Sequence, residues 1–406
     1  MNRRRPGTAD DFTTEYTVPG SDHDTGAGRA RARVPVPAAA ASADGAVAPA
    51  GSRNGRTSRG AAGAAATAGE DFASLTGPFR GELLAHCYRM LGSAEEAEDL
   101  VQETYLRAWR SFAGFEGRSS VRTWLYRIAT NACLTAIKRR GRRPLPSGLG
   151  GPAGGPDVPV VASLEVPWLR PFPDVLLGAV PADPAAEVAS RAGMRLALVA
   201  ALQYLSARQR ALLILRDVLE WPAAQVADLL GTTTTAVNSG LRRARARLAR
   251  ALPAEDKLAE PADPGRRALL DRFAAAFESA DAGALAQLLA EDVALEMPPV
   301  LTWFTGRRAV VRFLAGRQPH LFTVPGQLRM VPATANGQPA FAAYLRDDGV
   351  YRAHAVIVPT TTPAGIARIV IFLDPGLFGL FGLPQEHGGD VAGPARHDPA
   401  VPPWPR

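Results

Sequence analysis

From Phe72 to Arg140, apolar residues recur with the spacing of amphipathic helices. The first helix has apolar positions at i, i+3 and i+4: Leu83, Leu84, Cys87, Tyr88 and Leu91. Gly92 suits the end of this helix, because glycine readily adopts the left-handed conformation. Ser93, followed three positions later by Glu96, predicts a capping box at the start of the next helix.

The second helix is expected to direct one apolar face inward, and that face comprises Ala97, Leu100, Val101, Tyr105, Leu106 and Trp109. A third amphipathic stretch runs from about Ser120 to Arg140. Three amphipathic helices in succession predict a small all-α bundle.

A helix, a short turn and a second helix are predicted within Trp221–Leu252. Pro222 suits a helix start, and Gly231 can end that helix in the left-handed conformation. Thr233 or Thr234 then caps the second helix. The apolar positions expected to pack the two helices are Val226, Leu229, Leu230, Val237, Leu241, Ala244 and Leu248.

The pattern changes after Gly265, where two short helices, Arg266–Ser279 and Ala284–Leu289, are followed by segments typical of strands. The predicted strands are Val293–Met297, Ala340–Leu345, Tyr351–Val358 and Ile366–Leu373. Asp347-Asp348-Gly349 is a hairpin signal between two of them. Helices followed by several strands indicate an α+β unit.

Composition divides the chain between these patterned regions. Residues 1–70 contain no Leu, Ile or Trp, so they cannot bury enough apolar surface to offset the entropy of ordering. Proline and glycine interrupt the pattern twice more. The expected division is a disordered tail 1–70, a helical domain 71–140, a flexible linker 141–184, a helix-turn-helix domain 185–252, a hinge 253–264, an α+β domain 265–384 and a disordered tail 385–406.

Charge and chemistry narrow the function. The formal net charge is +7, and residues 191–252 alone carry +7, so the helix-turn-helix segment is the main candidate for binding nucleic acid. Cys87 and Cys133 are too few for a disulfide scaffold and lack zinc spacing, and we expect neither metal nor cofactor. No apolar run is long enough to span a membrane, so we expect a cytoplasmic protein.

The second helix of the helix-turn-helix should enter the major groove with its N-terminal residues. Thr234, Thr235, Asn238 and Ser239 can bond to base edges and phosphates there. Five arginines follow within nine residues, at positions 242, 243, 245, 247 and 250. The alternative is a merely solvated basic helix. Gly240 within this helix costs about 1 kcal/mol relative to alanine and would permit a close approach to a backbone.

Two further helices carry candidate chemistry. The helix 95–109 bears five acids, which are either a solvated face or a docking surface for a basic partner helix. The third helix combines Trp124, Arg127 and Asn131 with five basic residues within 138–143, a combination that suits single-stranded nucleic acid. For Trp124 alone, a core position is the alternative.

The motifs resemble, in order, those of the extracytoplasmic-function (ECF) sigma factors of the sigma-70 family, which are subunits of bacterial RNA polymerase. His86–Gly92, Glu98–Thr104 and Thr123–Asn131 resemble region 2, while Leu205–Arg210 and Val237–Arg245 resemble region 4. Gly240 departs from the larger residue often found in the family.

The resemblance implies contacts with the β′ clamp helices and β subunit of core RNA polymerase and with promoter DNA. The residues implied for the polymerase are Asp99, Gln102, Glu103 and Arg107. Those for the −10 element are Trp124, Arg127, Asn131, Lys138, Arg139 and Arg140. Those for the −35 element are Thr234, Thr235, Asn238, Ser239, Arg242, Arg243 and Arg245.

The linker stretch 167–174 and the C-terminal region resemble a sigma subgroup with a SnoaL-like domain of the NTF2-type cone fold. The resemblance implies a regulatory module that packs on the sigma domains. The acid–base candidates of that domain show no catalytic constellation: Asp292, Glu296, His320, Tyr344, His354 and Asp374. Its apolar residues are either core or pocket lining: Met297, Leu301, Trp303, Phe304, Phe341, Val356 and Phe372.

The sequence therefore predicts a non-enzymatic initiation factor. Two alternatives stay open: a helix-turn-helix regulator that works without polymerase, and an enzyme whose activity lies in 265–384. A simple repressor needs neither 98–107 nor 123–131. No residue pattern supports a small-molecule ligand of the last domain.

Overall fold

The computed structural model describes residues 71–117, 119–177, 193–251, 264–317 and 324–388. A short helical segment at 71–76 precedes three longer helices: α1 (Arg80–Leu91), α2 (Ala94–Ser111) and α3 (Val121–Arg140). A second helical part comprises α4 (Leu196–Leu202), α5 (Ala207–Leu213), which continues as a π-helical turn, α6 (Ala223–Leu230) and α7 (Thr234–Ala251).

Local signals set the boundaries of the first three helices. Gly92, with φ of 77°, ends α1, and Ser93 caps α2 by accepting a hydrogen bond from the backbone N–H of Glu96. The predicted capping box is only half formed, because the Glu96 carboxylate pairs with Arg140 and Arg143 instead. The C-terminal end of α3 is thereby tied to the N-terminal end of α2.

The third part is α+β. Its helices are α8 (Pro264–Glu278), α9 (Ala282–Leu288), α10 (Arg307–Arg317) and the short α11 (Leu377–Leu380). Its strands are β1 (Leu289–Glu296), β2 (Phe304–Thr305), β3 (Leu328–Ala335), β4 (Gln338–Asp347), β5 (Val350–Thr362), β6 (Gly365–Phe372) and β7 (Glu386–His387). The predicted fold class, two all-α parts followed by an α+β part, is confirmed.

The sheet runs in the order β2-β1-β6-β5-β4-β3, and β7 pairs with the first residues of β5. β1 and β6 are parallel, and the other pairs are antiparallel. Successive residues of β5 face opposite sides. Ala355 and Ile357 belong to an apolar cluster with α8 and α9, whereas Val356 and Val358 belong to a larger cluster that includes both helical parts. One face of the sheet therefore contributes to the core of the helical parts.

The sequence did not predict β3 or α10. β3 lies at the edge of the sheet, where Pro332 is tolerated because its missing N–H interrupts no inner hydrogen-bond ladder. The prediction of a disordered tail was wrong for its first residues, since β7 and Gln385 pair with β5. The tail predicted for 1–70 lies outside the described residues, as do 389–406 and the hinge up to residue 263.

The linker differs from the expectation of a flexible tether. Over 141–177 it has little regular secondary structure, as its proline and glycine content predicts, yet Leu169 and Phe172 are fully buried. Its contacts reach both helical parts and the sheet, so these residues act as packing between them.

Candidate nucleic-acid and polymerase interfaces

The helix-turn-helix forms as the sequence predicts. Gly231, with φ of 60°, ends α6, and the Thr233 hydroxyl caps α7 by accepting a hydrogen bond from the backbone N–H of Ala236, 3.2 Å away. Val237, Leu241 and Ala244 are buried. The close approach that Gly240 permits is to a side chain and not to a backbone, because a β-carbon at this position would lie 2.5 Å from Leu212 Cδ1 in α5.

The exposed surface of α7 has two faces. At about 100° per residue, Thr234, Asn238 and Arg242 lie within one sector, whereas Arg243 lies about 140° around the helix from Asn238. All four side chains are exposed, as is Thr235, while Ser239 is half-buried. The structure thus brings most of the predicted −35 residues together and separates Arg243 from them.

Arg245 shares the sector of Asn238 but is already engaged. Its Nε and Nη2 atoms donate to the two carboxylate oxygens of Asp217, at 2.9 and 2.7 Å. This pairing raises the pKa of Arg245. The guanidinium must leave Asp217, or carry it along, to reach a phosphate.

The candidate −10 face lies on α3. Arg127 and Asn131 are exposed and stand one turn apart, on the same side of the helix. Trp124 is half-buried, and its ring packs on Phe115 with centroids 4.8 Å apart, so it supports the helix as well as bordering this face. The basic end follows with Lys138, Arg139 and Arg140 exposed, of which Arg140 pairs with Glu96.

The candidate polymerase face is the outer side of α2, where Asp99, Gln102 and Arg107 are exposed and Glu103 pairs with Arg107 at 2.6 Å. The prediction that Leu106 and Trp109 point inward was wrong, since they are 57% and 43% exposed. The buried stripe is Ala97, Val101, Thr104 and Ala108. Leu106 is five residues beyond Val101, about 140° away from that stripe, so stricter counting of the helical period identifies it as a surface residue. It adds an apolar centre to the acidic face.

The two helical parts contact each other through a mixed interface. Trp221, which precedes α6, packs on Tyr126 of α3 with centroids 5.1 Å apart, and the Arg122 guanidinium lies 5.7 Å from the Trp221 ring. His86 packs against the other side of the cluster, 5.0 Å from Tyr126. Burial, and secondarily the charge of Arg89, lowers the pKa of His86 to about 3.

Buried arginines complete this interface. Arg210 of α5 is 1% exposed and donates to the Met90 carbonyl and to Gln203 Oε1, the latter at 2.9 Å. Arg89 of α1 donates to the Gly193 carbonyl at 3.0 Å. Burial lowers the pKa of both guanidinium groups to about 10, so both stay charged at neutral pH.

One side chain of the sheet joins all parts. Asn336 lies in the β3–β4 turn and is fully buried. Its Nδ2 donates to Tyr88 Oη at 2.7 Å and to the Met194 carbonyl at 2.9 Å, and its Oδ1 accepts from the Phe172 N–H at 3.0 Å. We call these four residues the Asn336 junction. It links α1, the linker, the start of the second helical part and the sheet.

Sequence reasoning missed this junction. The Asn336-Gly337 pair is itself a strong hairpin signal, and both residues have positive φ, 58° and 67°. That signal identifies the turn, but it does not reveal that the turn is buried against Tyr88. Gly337 also donates to Asp174 Oδ1 of the linker at 2.8 Å.

The acid–base candidates of the sheet domain are dispersed. Buried Glu296 accepts from Arg368 at 2.6 Å and from the Ser147 N–H at 2.9 Å, and Asp374 pairs with Arg170 of the linker. Asp292 is exposed, Tyr344 donates to the Pro384 carbonyl, and burial lowers the pKa of His354. His320 lies outside the described residues. The apolar candidates Met297, Phe304, Phe341, Val356 and Phe372 are core residues, and Leu301 and Trp303 are half-buried.

Two kinds of site are absent from the described part of the chain. These residues contain no cluster of three or more His, Cys, Asp or Glu side chains able to hold a metal ion. Nor does any helix in them have the length and apolar character needed to cross a membrane.

Comparison with known proteins gives consistent matches. Family models for Sigma-70 region 2 and for Sigma-70, region 4 match residues 77–143 and 195–248. The ECF RNA polymerase sigma factor SigG of Mycobacterium tuberculosis is 50% identical over 317 residues, which cover 78% of this chain and 85% of SigG. The ECF RNA polymerase sigma factor SigJ of the same organism is 29% identical over 246 residues, covering 58% of this chain and 70% of SigJ.

A solved structure supports the fold. The crystal structure of Mycobacterium tuberculosis SigJ matches with a TM-score of 0.50 and 24% identity, over 78% of this chain and 99% of SigJ. The likeness extends across the helical parts and the sheet, because it covers most of the described residues.

Proposed function

Because the chain belongs to the ECF sigma factors, which bind core RNA polymerase and direct promoter-specific transcription initiation, we propose roles for the individual surfaces of its two helical parts and a regulatory role for its sheet domain. The predicted sigma factor is confirmed by these relationships. Initiation factors of this family are not enzymes, so an enzyme and a polymerase-independent repressor are both excluded as the main function.

The polymerase contact is assigned to the outer face of α2. Asp99, Gln102 and Glu103 form the polar part of this face, Arg107 pairs with Glu103 at its border, and exposed Leu106 supplies an apolar centre. An acidic face with a central leucine suits the basic and apolar side of a partner helix, here the clamp helices of β′, with β as a further contact.

This assignment is tested by charge reversal. Asp99→Lys should weaken binding of the full-length protein to core polymerase at least tenfold. Asp271→Lys on α8 is the matched control, because that acid is also exposed and undergoes the same change of charge. Equal affinity of the two variants for core polymerase would remove α2 from the interface.

DNA contacts are assigned to α3 and α7. Arg127, Asn131 and the basic end of α3 would hold the −10 strand, and Trp124 would support that helix. The N-terminal part of α7 would read the −35 duplex through Thr234, Thr235, Asn238, Ser239 and Arg242, with Arg243 and Arg245 at phosphates. Because each phosphate contact releases counterions, binding to a −35 duplex should weaken steeply with salt. A flat response would contradict the arginine assignments.

The sheet domain is assigned the role of holding the helical parts in a closed arrangement. The −10 and −35 positions are about 25 base pairs apart, or about 85 Å of duplex at 3.4 Å per base pair. Here α3 packs on Trp221 beside α6, and α6 packs on α7, so two helix packings of about 10 Å each separate the DNA-reading helices. One closed molecule therefore spans too little to engage both elements.

The observation that carries this proposal is the Asn336 junction, in which a turn of the sheet bonds simultaneously to α1, to the linker and to Met194. Docking of the sheet would thus favour the closed arrangement, and undocking would permit binding to promoter DNA on polymerase. The protein would act in the cytoplasm, where the polymerase transcribes.

A cut in the hinge tests the regulatory role. Truncation is unsuitable, because one face of the sheet shares an apolar cluster with the helical parts. A protease site inserted within 253–264 leaves every domain present. Cutting should increase promoter-specific transcription in vitro, and an identical insertion that the protease does not recognise is the control. Unchanged transcription after complete cutting and dissociation of the fragments would refute a restraining role.

A further inference from the structure

The second exposed face of α7 borders a cleft. Arg243, Arg247 and Arg250 recur at i, i+4 and i+7, so they form one stripe along the helix. The stripe faces Tyr204 and Gln209 across a cleft of about 750 Å³, which also includes Ala246. No acidic side chain lines it, and its three arginines form no ion pair among the described residues.

The opposite wall contains an aromatic side chain that lies next to a linker arginine. Tyr204 is half-buried at the end of α4, and the Arg142 guanidinium of the linker lies 5.9 Å from its ring centroid. The cleft is therefore lined by the recognition helix on one side and by Tyr204 and Gln209 on the other, and Arg142 lies against the Tyr204 ring. Burial, mainly, raises the pKa of Tyr204, so its hydroxyl stays protonated and can donate a hydrogen bond.

The outer part of the stripe lies far along α7 from the residues assigned to base readout. Thr234 begins α7, and at 1.5 Å per residue Arg247 and Arg250 lie about 20 and 24 Å further along its axis. The major groove is about 12 Å wide and receives the N-terminal part of a recognition helix. The C-terminal half of the stripe thus lies beyond the residues assigned to base readout. The cleft is broadly open to solvent, so it suits an extended segment that lies across it better than an enclosed small molecule.

We propose that this arginine cleft binds an acidic peptide segment of a partner protein. Carboxylates of the segment would pair with Arg247 and Arg250, since guanidinium groups bind carboxylates in bidentate geometry. The Tyr204 ring and hydroxyl would contact the peptide between them. Acidic segments bound by arginine clusters are a recurrent mode of recognition. Arg247 and Arg250, which would pair with the carboxylates, are not assigned to the −35 element, and only Arg243 is shared between the two sites.

The test uses full-length protein and a fluorescein-labelled decapeptide of glutamate, followed by fluorescence anisotropy. Arg247→Ala combined with Arg250→Ala should raise the Kd for the peptide about tenfold, since each exposed ion pair contributes modestly. Arg242→Ala with Arg245→Ala is the matched control, because it removes the same charge from the same helix on the other face. That control should change the Kd less than twofold.

A −35 duplex provides the reciprocal measurement. Its binding should fall more in the Arg242/Arg245 variant than in the Arg247/Arg250 variant. Equal loss of peptide binding in both variants would mean general attraction to positive charge and would overturn the proposal. Selective loss of duplex or single-stranded DNA binding in the Arg247/Arg250 variant would identify a nucleic-acid site and overturn it as well. Unchanged thermal melting of both variants excludes a folding effect.

Discussion

Replacing Asn336 with glycine perturbs the contact between the sheet and the helical parts at one point. The substitution removes the three side-chain hydrogen bonds to Tyr88, Met194 and Phe172. It leaves the backbone intact, because glycine adopts the φ of 58° without strain and the Asn336 N–H still donates to the Phe172 carbonyl at 2.8 Å.

The magnitude follows from those three bonds. Each bond contributes about 1 kcal/mol net, because the undocked groups can bond to water instead. The substitution should therefore make the free energy of docking about 3 kcal/mol less favourable. That corresponds to an increase of about a hundredfold in the undocking equilibrium constant. Asp348→Gly is the matched control: Asp348 occupies the turn between β4 and β5 with φ of 47°, but it is exposed.

Undocking is measured by energy transfer between dyes on cysteines introduced at Thr135 of α3 and Arg308 of α10, both of which are exposed. The native Cys87 and Cys133 are fully buried and should label slowly. We expect the low-transfer population to grow at lower urea in Asn336→Gly than in Asp348→Gly. An undocking constant within threefold of that control would refute the role of the junction.

Three further outcomes are expected. Asp217→Ala should free Arg245 and strengthen binding to a −35 duplex several-fold. The slope of log K against log salt concentration should become steeper by the equivalent of about one phosphate contact, and an unchanged slope would contradict this prediction. The His86 pKa is about 3 in the folded state and 6.5 in the unfolded state, so between these values the unfolded state binds more protons than the folded state. The free energy of unfolding therefore decreases as the pH is lowered below 6.5. Urea melts should show a loss of about 2 kcal/mol at pH 5 relative to pH 7.5, absent in His86→Gln. Leu106→Ser should weaken core polymerase binding while changing the unfolding free energy by less than about 0.5 kcal/mol, and unchanged pull-down of polymerase would exclude it from that interface.

Locally encoded features were predictable from the sequence. The ends of α1, α2 and α6 follow from Gly92, Ser93 and Gly231, because each residue determines its own φ or its own capping bond. The Asp347-Asp348-Gly349 turn is likewise confirmed by the β4–β5 register, in which Asp347 pairs with Val350.

Features that depend on distant partners were not predictable. Pro332 argues against a strand at the position of β3, because a proline is acceptable only in a strand at the edge of a sheet, and the sequence does not show that β3 lies there. The Glu96 carboxylate does not complete the capping box, because it pairs instead with Arg140 and Arg143, which lie more than 40 positions later in the chain. The burial of Asn336 depends on Tyr88, which is 248 positions away in the chain.

The hairpin that presents Asn336 also fixes the length of the connection. Ala335 pairs with Gln338, so the turn consists of two residues and fixes the register of β3 against β4. Because side chains alternate between the faces of a sheet, a one-residue insertion within either strand would reverse which side chains face the helical parts. Relatives that keep this docking mode are therefore expected to have no insertions or deletions within β3, β4 and the turn that connects them.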